Sequence, residues 1–203
     1  ALFESEWKPA FQREFADAGA FASHCYSAAV ERVEGGPGPQ MLPQTGETVE
    51  RILKSGATLV ILSNSSPTKI RKWFGSMGVE ISEDRSAKLR VRGNAGKFRI
   101  TPSAGEISFS GRPVQLGRTQ YREALLEEKP DAVIGDNFSL DLSLPAHLRS
   151  QHPDFRRLHL VLARTRYTPE WSRRSFREAG GTVEVSGLLE FADWVERTMK
   201  GPK

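Results

Sequence analysis

Cysteine is almost absent from the chain. A single thiol, Cys25, in 203 residues excludes an internal disulfide framework and a thiolate zinc site, and it suits a reducing compartment. Long apolar runs are missing as well. None approaches the roughly 18 residues of a membrane-spanning helix, and the first residues lack the basic start and apolar core of a signal peptide. The expectation is therefore a cytoplasmic chain without membrane contact. An excess of one charge is equally lacking: lysine and arginine total 29 against 25 acidic residues, a net +4. A sequence pI near 9.4 allows anionic ligands without demanding nucleic acid. Repeats are absent, the composition is that of an ordinary globular protein, and the length suffices for one substantial core with a small insert.

What is present alternates between two periodicities. Residues 3–33 carry Phe3, Trp7, Phe11, Phe15, Phe21, Tyr26 and Val30 at helical spacing, with a break near Gly19, and predict two helices of a small subdomain closed by the linker "GGPGP". "ETVERILKSG" then predicts a helix ending at Gly56, and the continuous apolar run "TLVILS" a buried strand. Ser66 and Pro67 suit the cap and first turn of the helix that follows. Residues 86–110 predict short strands or a hairpin. After "RTQYREALLEE" (helix) and "DAVIGD" (buried strand) come a polar loop, then "LHLVLA", "PEWSRRSFREAGG", "TVEVS" and "LLEFADWVERTMK" as strand, helix, strand and helix. Helices alternating with short apolar strands predict an α/β fold, a three-layer Rossmann-like parallel sheet with helices on both faces.

Ligands of such sheets sit at the C-terminal ends of the strands, so the polar residues there are the candidates. "SNSS" offers Ser63, Asn64 and a helix start suited to an oxyanion such as phosphate; a capped strand-to-helix turn is the plainer account. "GDNFSLD" places Asp136 and Asp141 on one short loop after a strand, a pairing that suits a hard cation such as Mg²⁺. Arg118 opens a helix, where a cation is poorly placed for the helix dipole but could neutralise a bound phosphate. Arg112 and Lys97 compete for that role.

Ser63-Asn64 after a strand, a basic residue opening a helix, and "GDNFSLD" after a later strand resemble, in this order, the haloacid dehalogenase superfamily of hydrolases. The resemblance spans nearly the whole chain and implies a small helical cap over residues 1–40 and an α/β core over residues 41–203. It also implies a magnesium-dependent, metal-binding phosphatase. There an aspartate of an Asp-x-Asp motif attacks phosphorus, an aspartyl-phosphate forms and water hydrolyses it, with Asp136 and Asp141 at the metal and Ser63, Asn64 and Arg118 on the phosphoryl group. The chain opens "ALFES" and holds no Asp-x-Asp. If Ala1 stands at the threonine of that motif, its aspartates lie upstream of these 203 residues. A catalytically inactive relative that keeps the fold as a binding module is the alternative. The phosphorylated substrate is not specified.

Other motifs carry less. "GNAGKF" lacks the first glycine and the closing Ser or Thr of a phosphate loop. His147 and His152 are five apart, off the spacing that puts two ligands on one helix face. "RTRY" and "RRSFR" gather five arginines near Tyr167 and Trp171, which could contact nucleic acid; a solvated helix face explains them as well.

Overall fold

The structure is a computed structural model and describes residues 14, 21, 24, 25, 28, 29 and 32, then 41–100 and 105–199. Residues 1–42 and 43–203 form separate compact units. In the first, the seven described positions from Glu14 to Arg32 are helical; the rest of the apolar spacing and the "GGPGP" linker lie outside the described residues.

The second unit is mixed α/β, with six α-helices and small parallel sheets among the described residues. In chain order these are α1 (Thr45–Lys54), β1 (Leu59–Leu62), α2 (Pro67–Gly75), β2 (Leu89–Arg92), β3 (Glu106–Phe109), β4 (Arg112–Gln115), α3 (Thr119–Glu128), β5 (Ala132–Gly135), α4 (Ser143–Gln151), β6 (His159–Ala163), α5 (Glu170–Glu178), β7 (Val183–Val185) and α6 (Leu188–Met199). Strand β1 pairs in parallel with β2, β5 with β6, and β6 with β7. Strands β3 and β4 form a separate antiparallel hairpin.

Local chemistry explains most of these elements. The hydroxyl of Ser66 accepts from the Lys69 N–H at 3.3 Å and Pro67 follows it, so α2 starts where capping and a dispensable N–H coincide. The hairpin turns through Ser110 and Gly111, both at positive φ, as a two-residue connection requires. Strand β6 is covered on both faces. Leu160 and Leu162 point into a cluster with Tyr121, Leu125, Phe138, Leu142, Leu144 and Phe176, while Val161 joins Ile52, Val185, Phe191, Ala192 and Val195. At the far side of the second cluster Arg51 of α1 grips α6, donating to Glu196 at 2.9 Å and to Asp193 at 2.5 Å.

Residues 86–110, expected to hold short strands or a hairpin, hold both: residues 89–92 of "KLRVRG" form a short strand parallel to β1, and "EISFS" enters the hairpin with Arg112–Gln115. Two expectations need correction. The polar loop expected after β5 contains a π-turn (Phe138–Leu142) and then α4. Pro145 does not break α4 because it is the helix's third residue, where the N–H has no partner within the helix to lose. Finally, β1 and β5, expected buried, are half-buried at every position. Among the described residues each pairs on one edge only, whereas β6 has a neighbour on either side.

Candidate functional site

The sequence candidates gather at the C-terminal ends of β1 and β5, and a loop from β2 joins them. The carbonyl of Ser63 accepts from the Ala95 N–H at 2.9 Å, and that of Ser65 from the Asn94 N–H at 3.0 Å, which lays the segment 93–97 across the end of β1. There Asn64 Oδ1 accepts from the Lys97 N–H at 2.8 Å. This fixes the base of the lysine. Its Nζ then reaches Asp141 Oδ1 at 2.8 Å and lies 5.0 Å from the centre of the Tyr121 ring. The loop needs Gly96 for this course: φ is +59°, and a Cβ there would overlap the Gln120 side chain.

Asp141 comes from the π-turn after β5. The second carboxylate oxygen accepts from the Asn137 N–H at 3.1 Å, while Asn137 Oδ1 accepts from the Leu140 N–H at 3.2 Å. The Tyr121 hydroxyl donates to the Asp141 carbonyl at 2.6 Å. Burial, followed by the charge of Asp141, holds this phenol far above its ordinary range, so it is a fixed donor. Gly135 has no room for a side chain: any Cβ would overlap Cβ of Asp141. The glycine that ends the strand therefore lets the carboxylate fold back over it.

The remaining candidates stand differently. Asp136 is exposed and forms no hydrogen bond or ion pair among the described residues. Ser63 spends its hydroxyl on the Ser65 N–H at 3.1 Å. Arg118 is buried, 4% exposed; its Nη1 donates to the Ser143 hydroxyl at 3.1 Å and its Nε has no partner. Burial lowers its affinity for the proton, and the nearby Tyr121 and Asp141 offset this only in part. Arg112 lies on the hairpin over the Trp171 ring. Of the three cations considered, Lys97 is the one bonded to Asp141. Gly93, Asn94 and Gly96 were the available signal: Asn94 and Gly96 take positive φ, and a Cβ on Gly93 would overlap Pro67 and the Ser65 carbonyl.

A magnesium ion at Asp136 would find the second expected carboxylate, Asp141, already bonded to Lys97 and to the Asn137 N–H. Both oxygens of Asp141 are engaged, and among the described residues no three His, Cys, Asp or Glu side chains are grouped to hold a metal ion. His147 and His152 form no ligand pair; His152 Nδ1 caps the Asp154 N–H at 3.3 Å. No helix among the described residues is long and apolar enough to cross a membrane. In comparisons with known proteins, no protein-family model, curated protein or solved structure matches the chain.

Proposed function

We propose that residues 43–203 are the phosphoryl-binding core of a cytoplasmic phosphohydrolase of the haloacid dehalogenase type, built as a three-layer Rossmann-like sheet. One observation carries this reading: Lys97, anchored by Asn64 at the end of one strand, meets Asp141 at the end of another. A single ammonium held between the ends of β1 and β5, which belong to two parallel sheets, supplies the positive charge that a phosphoryl oxygen needs. The α2 N-terminus beside Ser63 and Asn64 adds N–H donors. Asp141 holds the ammonium in place until an anion competes for it. The 203 residues hold no Asp-x-Asp motif, so none of their carboxylates is assigned the nucleophile's role.

The test uses inorganic phosphate, followed by ³¹P NMR, with p-nitrophenyl phosphate turnover measured on the native-length gene product. Binding that falls at least about tenfold in Lys97→Ala, an effect the size of one charge-assisted hydrogen bond, supports the reading. Binding unchanged in that variant sinks it. Phosphate binding without turnover selects the second reading, an inactive binding module, which the full engagement of the Asp141 carboxylate favours.

A further inference from the structure

Tyr121 is the third residue of α3 and is buried. It packs in one cluster with Leu125, a turn further on, and with Phe138 and Leu142 of the π-turn. A phenol buried this deeply needs a partner for its hydroxyl, and the Asp141 carbonyl accepts from it at 2.6 Å. That carbonyl lacks its ordinary helical donor, because the residue four positions on is Pro145, which has no N–H. The hydroxyl therefore secures the backbone of the residue whose carboxylate holds Lys97. The ring of the same side chain meets the other member of the pair: Lys97 Nζ stands over it, 5.0 Å from its centre. Gln120, next in sequence, packs against Gly96, so the first turn of α3 supports the 93–97 loop at two consecutive residues.

An ammonium carries three N–H donors, and Asp141 Oδ1 takes one of them at 2.8 Å. A ring face attracts a cation through its quadrupole and leaves the remaining donors free for other acceptors. The side chains of Lys97 and Asp141 are 14% and 13% exposed, so an anion can reach the ammonium from solvent and compete with the carboxylate. Asn64 fixes only the backbone of Lys97, and a lysine on its flexible four-carbon stem would swing into water once the carboxylate let go. The ring remains in contact when the carboxylate does not. We propose that Tyr121 is the positioning residue of Lys97: its ring face keeps the ammonium between the ends of β1 and β5 while a phosphoryl oxygen replaces Asp141, and its hydroxyl keeps Asp141 within reach to take the ammonium back. The inference rests on the phosphoryl reading of Lys97 and deepens it. Tyr121 itself touches no phosphate and transfers no proton.

The test separates the charge of the ring face from the shape of the ring. Tyr121→Phe removes the hydroxyl and keeps the ring, and the same substitution with a ring-fluorinated phenylalanine keeps the shape but weakens the negative face. Binding of inorganic phosphate, followed by ³¹P NMR, should weaken at least about fivefold from the first variant to the second, the size of a desolvated cation–π contact. In a Lys97→Ala background fluorination should change nothing; an equal loss there means that the ring acts only as packing and overturns the proposal. The parent protein supplies a measurement that needs no variant at Tyr121. Its Lys97 ε-protons should resonate upfield of an ordinary lysine through the ring current, and an ordinary shift overturns the proposal. Phosphate bound equally by the two ring variants overturns it as well and leaves the phosphoryl reading standing. A parent protein that binds no phosphate refutes the phosphoryl reading itself, and the proposal falls with it.

Discussion

Strand β6 and strand β1 are written in nearly the same alphabet, "HLVLA" against "LVIL", yet they end in different surroundings. Leu160, Val161 and Leu162 are wholly buried; every residue of β1 is half-buried. Composition allows a strand to be central, and neighbours on both edges make it so. The contrast teaches that an apolar run records where a strand is meant to lie, and that its observed exposure records which partners are present.

Mutations can break this comparison. Leu160→Ala should cost about 2–5 kcal/mol, because it opens a cavity in a core that cannot collapse around it. Ile61→Ala in β1 removes a side chain already half in water and should cost about 1–2 kcal/mol; equal shifts in urea midpoint would refute the distinction. Gly135→Ala comes next, at about 1–3 kcal/mol, since the new Cβ must displace Asp141. Its effect is specific: the exchange of Lys97 side-chain protons should quicken, while Gly46→Ala, with nothing near its Cβ, leaves it unchanged.

His147 sharpens the comparison from the side of pH. Burial and then the charge of Arg122 lower its pKa from 6.5, so the folded state binds its proton less readily than the unfolded chain. Stability should be undiminished above pH 6.5 and decline as pH falls through the lowered folded value; His147→Gln should flatten that part of the profile. The smallest effect belongs to Lys54 and Glu50, an exposed pair at 2.5 Å. Lys54→Ala should leave the urea midpoint nearly unchanged, because the pair is solvated.

Much of the α/β alternation could be read in the sequence, because caps, glycine stops and apolar runs act locally. Ser66-Pro67 marks the start of α2, and Gly180 at φ +69° the end of α5. Helix α4 could not be read so directly, since its proline signals a break except in the first turn, and the position of that turn depends on the π-turn before it. Pairing partners were equally hidden: "KLRVRG" alternates like a hairpin strand, and only its pairing with β1 makes it parallel. At the site, Ser63, Asn64, Asp136 and Asp141 announced themselves by following strands. The choice among Arg118, Arg112 and Lys97 depended on side-chain reach. Arg118, the favoured candidate, bonds Ser143, and Lys97 bonds Asp141 because Asn64 and a tight loop aim it there.

The grip of Arg51 on Asp193 and Glu196 spans 142 and 145 residues of sequence, so the first helix of the core is locked by the last. On a ribosome adding about 5–20 residues per second, α1 and β1 wait roughly 7–30 seconds after emerging before α6 exists to cover them. During that interval Ile52, Leu59 and their neighbours are open to any passing apolar surface. Whatever shields the nascent chain in those seconds bears on its folding, and a pause before α6 is translated would lengthen the exposure.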